Sequence, residues 1–206
     1  MSSFNKEGMK VKEPRFLIKD LAENRLHNGV WNWEEYQSLF DKVTDEKAIG
    51  ESTVLYLYYF KEAIKNIKYR LDEDVRIIIM LRNPVDRAFS AYTHVARSVK
   101  EQLSFEEALE IEHERLELDP TLTPMVMYKD MGLYFNMVKA YLDNFEDVHI
   151  IMYEDFKSDT AKVVEKTLEF LGVDSKVSLN TGSRYNVGGK SWKTQFVNQI
   201  LSFTST

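Results

Sequence analysis

Arg82, Asn83 and Pro84 follow the apolar run 75–81 directly, and Ser90 lies eight residues beyond Arg82. An arginine at a strand end, an Asn-Pro pair that caps and starts a helix, and a hydroxyl two turns further on are groups that can share one anion. The first N–H groups of a helix and its dipole attract negative charge, and a guanidinium offers paired donors matched to a phosphate. Ser90 would stand roughly 9 Å along the helix from Pro84, so an arginine bent back over that helix could share its ligand. Position alone leaves a second reading open, in which Arg82 is a structural arginine paired with Asp86 or Glu154. A second pair, Lys12 and Glu13 ahead of Pro14, offers a cation beside a carboxylate, the groups that proton transfer needs. Taken by itself, that pair also reads as a solvated charged turn before a proline.

The elements that must position these groups follow from periodicity. Asn32 is placed to cap a short helix in which Trp33, Tyr36, Leu39 and Phe40 share a face. Residues 47–51 read as a brief strand and 53–69 as a longer helix, with Tyr56, Tyr58, Tyr59 and Phe60 mostly in the core. The run 75–81 is apolar throughout and too short for a typical helix, which suits a strand buried on both faces of a parallel sheet. A helix follows over 84–98. Ser104 and Glu107 have capping-box spacing, so 105–117 reads as a helix. Residues 118–130, with Pro120 and Pro124, read as a loop. A helix over 131–145, a second buried strand over 148–154 and a helix over 158–172, stopped at Gly172, complete the order, with a further helix over 191–203. Strands alternating with helices specify an α/β fold, a parallel sheet flanked by helices, in which ligands bind beyond the carboxyl ends of the strands. Arg82 stands at such an end.

The stretch LRNPVDRAFSAYTH, residues 81–94, resembles the 3′-phosphate-binding motif of the sulfotransferases that use 3′-phosphoadenosine 5′-phosphosulfate (PAPS), in the branch that includes bacterial enzymes and the heparan sulfate sulfotransferase domains. The resemblance implies that Arg82 and Ser90 bind the 3′-phosphate. Further segments match in the family's order. VKEPRFL (11–17) is similar to the segment whose Lys-Glu pair enters the active site, which implies Glu13 as the base for the acceptor proton and Lys12 as the cation for charge on the leaving phosphate or the sulfonate oxygens. AIGESTVLYLY (48–58) resembles the segment beside the acceptor, which places Ser52, Thr53 and Tyr56 there. Residues 132–156 resemble the paired helix and strand late in the sheet. RYNVGGKSW (184–192) occupies the place of a loop over the nucleotide, so Gly189 and Lys190 are matched to cofactor binding. Acceptor selectivity is expected in the 118–130 loop.

One part of the family pattern is missing. Relatives hold the 5′-phosphosulfate in a glycine-rich loop ahead of the Lys-Glu-Pro segment, and MSSFNKEGMK contains no such loop. The expectation is therefore one sulfotransferase-like domain over 1–206, truncated at both ends: a fragment, a mis-started frame or a degenerate paralogue.

Composition limits the alternatives. A chain of 206 residues with 44% hydrophobic residues can bury one sizeable core. A net charge of −6 gives no basic field for nucleic acid or an anionic membrane surface. The absence of cysteine excludes a disulfide scaffold, a thiolate metal site and a cysteine nucleophile. No apolar run is long enough to span a membrane and residues 1–11 hold no signal-peptide core, so cytoplasmic location is the default. His27, His94, His113 and His149 are scattered without metal-ligand spacing, and no metal is expected. The expected activity is transfer of a sulfonyl group from PAPS, with the bisphosphate PAP as product, to a hydroxyl or amine on a small molecule, carbohydrate or lipid. The alternative is a non-catalytic remnant that binds a 3′-phosphorylated nucleotide or a protein partner. An unrelated nucleotide kinase or structural α/β domain is disfavoured because no G-x-x-x-x-G-K-[ST] pattern occurs.

Overall fold

In the computed structural model, which describes residues 3–4, 10–22, 24–26, 28–71, 74–97 and 101–177, the two apolar runs lie side by side as parallel strands. The described chain opens with an antiparallel pair, β1 (Ser3–Phe4) and β2 (Lys10–Val11). A 3-10 turn at Phe16–Ile18 leads into α1 (Lys19–Ala22), followed by α2 (Trp33–Ser38), α3 (Leu55–Tyr58) and α4 (Phe60–Arg70). Next come β3 (Ile77–Leu81), α5 (Pro84–Ala96), α6 (Phe105–Glu110), α7 (Glu112–Leu118) and α8 (Tyr134–Asn144). The order ends with β4 (Val148–Met152), α9 (Tyr153–Ser158) and α10 (Thr160–Phe170). The β3–β4 register runs from Ile77 opposite Val148 to Leu81 opposite Met152. This is the α/β arrangement the sequence predicts, with helices between two parallel strands. The predicted helix over 191–203 lies outside the described residues.

Local chemistry explains most boundaries. Asn32 accepts from the Glu35 N–H at 2.8 Å to start α2, and the Asn83 side chain accepts from Val85 and Asp86 to start α5. Ser104 and Glu107 complete a capping box at the start of α6. Gly172 ends α10 in the left-handed conformation, φ 69°, which glycine adopts without a Cβ clash.

The structure departs from the predicted elements in five places, one being that the strand expected over 148–154 ends at Met152, where α9 begins. Residues 47–51 are not a strand: among the described residues no strand pairs with them, and the Glu51 side chain instead accepts from the Tyr36 hydroxyl of α2. The 53–69 helix is interrupted at Tyr59, whose backbone (φ −90°, ψ 42°) leaves the helical range, and the Tyr56 carbonyl, which the Phe60 N–H would use in an unbroken helix, accepts from the Tyr141 hydroxyl at 2.8 Å. The 105–117 helix breaks at Ile111, φ −111°, into α6 and α7. Finally, β3 and β4 are not buried on both faces. Ile79 and Ile151 are buried, but Ile78, Met80, Ile150 and Met152 stay between 37% and 47% exposed.

Three apolar clusters hold the helices. The first joins Phe16, Tyr36, Ile64, Ile67, Ile79, Tyr141 and Phe145, so α2, α4, α8 and β3 share one core. The second gathers Ile18, Leu55, Ala63, Met127 and Met131. The third sets Ala88 of α5 against Ala108, Val126 and Tyr128. The 118–130 segment is therefore core at its far end, with Val126, Met127 and Tyr128 almost fully buried. Polar anchors fix it there. The Glu112 carboxylate accepts from the Lys129 and Asp130 N–H groups at 2.8 and 2.9 Å, and Glu101 accepts from Arg115 at 2.9 Å and the Tyr128 hydroxyl at 2.6 Å. Arg87 of α5 donates to the carbonyls of Met127 and Tyr128.

Candidate functional site

Arg82 follows the last residue of β3, so its side chain leaves the sheet at the carboxyl end, where ligands of parallel sheets bind. Neither reading that pairs it with a carboxylate holds: it forms no ion pair with a carboxylate among the described residues. Its guanidinium lies over the Tyr153 ring, 5.2 Å from the centroid, a cation–π arrangement that fixes the plane of the fork. Glu154 accepts instead from the Asn83 N–H at 3.0 Å. That backbone bond, with Arg82 as a lesser contributor, holds the Glu154 carboxyl below the ordinary glutamate value. Ser90 is exposed two turns into α5, and its carbonyl accepts from the Thr93 hydroxyl. Strand end, capped helix and exposed hydroxyl thus form one strand–turn–helix unit.

A second set of side chains gathers around Glu13. Arg15 pairs with Glu13 at 3.7 Å and donates through Nη1 to the Asn28 carbonyl at 2.8 Å. Its backbone is left-handed, φ 60°, the one such non-glycine among the described residues, and its Nε is buried without a partner. A strained backbone of this kind persists only where its surroundings hold it. Here the holding groups are hydroxyls. The Arg15 N–H donates to Thr53 Oγ1 at 3.2 Å, and the Leu17 N–H donates to the Tyr56 hydroxyl at 3.3 Å. Glu51 accepts from one of these, Thr53, and from the Tyr36 hydroxyl, at 3.4 Å each. Burial pushes the Glu51 carboxyl up, the Tyr56, Thr53 and Tyr36 hydroxyls pull it down, and the charge of Glu13 adds an upward push; the net direction is up. Burial and then the Glu51 charge push the Tyr36 and Tyr56 hydroxyls well above the ordinary phenol value, so both remain protonated donors.

The residues singled out in the sequence fall into these two groups. Glu13, Thr53 and Tyr56 are brought together, Thr53 buried and Ser52 exposed beside it. Lys12 is exposed where β2 ends. Arg82 and Ser90 share the β3–α5 unit. Gly189 and Lys190 lie outside the described residues, as does His27. His94 is exposed, His113 sits on an acidic helix 3.9 Å from Glu112, and His149 stacks on Phe170 with Thr167 at its Nε2. No cluster of metal-ligating side chains occurs among the described residues. Sequence reasoning missed Glu51, Arg15 and Tyr153. Glu51 lies inside a segment singled out for its hydroxyls, and a carboxylate turned inward looks the same in sequence as a solvated one.

The fold is that of a sulfotransferase-type α/β protein. The crystal structure of a sulfotransferase from Alicyclobacillus acidocaldarius superposes with a TM-score of 0.74 and 33% identity, covering 93% of this chain and 78% of that one. The human heparan sulfate glucosamine 3-O-sulfotransferase 6 is 30% identical over 145 residues, covering 69% of this chain. The chain spans 40% of the length of that relative. The sulfotransferase domain profile matches residues 61–200, and the chain belongs to the sulfotransferase family.

Proposed function

We propose that the protein is a PAPS-dependent sulfotransferase whose nucleotide is held at its 3′-phosphate by Arg82 and Ser90 and whose acceptor, a hydroxyl or amine, is deprotonated by Glu13. The observation that carries this reading is Arg82: a guanidinium at the carboxyl end of a parallel strand, oriented by Tyr153 and without a carboxylate partner among the described residues. A phosphate suits that fork, and the Asn83-capped start of α5 adds its dipole. PAPS, when bound, supplies a sulfonyl group on a phosphate leaving group. Glu13 takes the acceptor proton as the acceptor bond to sulfur forms, and Lys12 stabilises negative charge on the leaving side. Exposed Ser52 would touch the acceptor, with the Thr53 and Tyr56 hydroxyls behind it. Gly189 and Lys190 complete the reading as nucleotide-loop residues.

The acceptor is a small molecule, carbohydrate or lipid, and the reaction is placed in the cytoplasm; no helix among the described residues is long and apolar enough to cross a membrane. Calorimetric titration with PAP and with 5′-AMP tests the nucleotide half. Preference for the bisphosphate, lost in Arg82→Ala, is expected. Equal binding of the two nucleotides, or an unchanged preference in Arg82→Ala, would overturn it.

A further inference from the structure

Most inward-turned carboxylates of this protein are explained by what they hold. Glu101 meets Arg115, and Glu112 meets two backbone N–H groups. Glu51 meets neither a cation nor a backbone donor among the described residues. Its contacts are the Tyr36 and Thr53 hydroxyls, with Tyr56 beside them, and its charged neighbour is another carboxylate, Glu13. A carboxylate in that setting is costly, so its hydrogen bonds must serve something else.

The direction of those bonds shows what they serve. A hydroxyl that accepts from a backbone N–H must send its own proton elsewhere. Thr53 accepts from Arg15 and Tyr56 accepts from Leu17, so each has one proton to place; Glu51 takes the Thr53 proton at 3.4 Å and lies beside Tyr56. Glu51 thereby orients the two hydroxyls that hold the 15–17 turn, including the left-handed Arg15. Arg15 in turn holds Glu13 by their ion pair. We infer that Glu51 is a positioning residue: acting through Thr53 and Tyr56, it keeps the strained turn closed and so fixes the carboxylate of Glu13. This inference rests on the reading of Glu13 as the base. Among the described residues, the titratable groups that face Glu51 are Glu13 from the 10–15 segment, Tyr36 from α2, Tyr56 from α3 and Tyr141 from α8, beside the Thr53 hydroxyl.

The test is hydrogen exchange at the Arg15 and Leu17 amides, read by NMR in the 206-residue chain. Glu51→Ala should speed exchange at both amides at least tenfold, and Glu51→Gln, which keeps an acceptor oxygen, should restore most of the protection. Thr53→Val should release Arg15 alone and Tyr56→Phe should release Leu17 alone, which keeps the test decisive even if Glu51→Ala does not fold. Unchanged protection at Arg15 in Thr53→Val, or equal loss of protection in Glu51→Gln and Glu51→Ala, would overturn the inference. A further readout is the titration of the Glu51 side-chain carboxyl carbon, whose midpoint should fall in Glu13→Gln because a like charge has been removed; an unmoved midpoint would contradict the coupling. Turnover of Glu13→Gln separates the two claims: full activity would end the base reading and leave the exchange result standing.

Discussion

The helical part of the molecule and its strand–helix unit treat charge in opposite ways. Among the helices, Glu101 and Glu112 are turned inward and saturated by Arg115, the Tyr128 hydroxyl and backbone N–H groups, all from this chain. At the β3–α5 turn, Arg82 meets an aromatic face and forms no ion pair with a carboxylate among the described residues, while Glu154 accepts from a backbone N–H. A charge completed within the fold holds the fold. A charge oriented but left incomplete is set for something outside it. Glu51 stands between these cases, partnered among the described residues by hydroxyls, of which Thr53 holds the Arg15 backbone that pairs with Glu13.

The contrast can be broken experimentally, and the largest effect is expected at Glu13. Glu13→Gln should lower kcat by about 10²–10⁴-fold, the usual contribution of a positioned base, with PAP affinity unchanged. Comparable losses in PAP affinity would move Glu13 to the nucleotide side. Next, Glu112→Ala should destabilise the fold by about 2–4 kcal/mol in chemical denaturation, since the Lys129 and Asp130 N–H groups lose their acceptor. A stability within a few tenths of the parent would show that water replaces the carboxylate there. Arg82→Ala should leave stability nearly untouched and weaken PAP by about 10- to 100-fold, the range for a charge-assisted hydrogen bond. Tyr153→Leu should have a smaller effect of the same kind, about 2- to 20-fold, through loss of the cation–π contact. If Tyr153→Leu matched Arg82→Ala, the ring would be organising more than the guanidinium.

The last expectation is in pH and has two signs. Burial alone would push Glu101 up, but Arg115, the Tyr128 hydroxyl and the Leu103 N–H bring it below the ordinary glutamate value. Its contribution to stability is therefore present above that ordinary value and lost as pH falls through the lowered one. Glu51 is pushed up, so its contribution is present below the ordinary value and lost as pH rises through the raised one. Glu101→Gln should flatten the acid side of the stability curve and Glu51→Gln the side just above the glutamate range, both measurable by denaturation across pH. Slopes of the same sign in the two variants would contradict these assignments.

Much of this could be read from the chain in order. The Asn32 and Asn83 caps, the Ser104–Glu107 box, the Gly172 stop and the two apolar runs are local signals, set by backbone groups a few residues from the side chain that satisfies them. The Arg82–Ser90 motif is local for the same reason, being one strand end and one helix start. What failed was set at long range. Where the 53–69 helix is interrupted, the Tyr56 carbonyl accepts from the Tyr141 hydroxyl, 85 residues away in sequence. The 118–130 segment reads as a loop, and what the sequence did not show is that its far end is core, where Glu112 and Glu101 reach its backbone and Tyr128. The strands look doubly buried in sequence, but an apolar run states only what could be covered, and covering it depends on elements packed from elsewhere.

The sequence by itself determined the two paired apolar strands, the capped helix starts and the family motif. These depend on side-chain type and on spacings within one or two turns of backbone. Only the tertiary structure decided which charges are spent inside the fold. It gave Glu154 to a backbone N–H, laid Arg82 over Tyr153 and aimed Glu51 at the hydroxyls beneath Glu13, because a hydrogen-bond partner is chosen by distance in space and the chain brings together residues from 13 to 154 to make that choice.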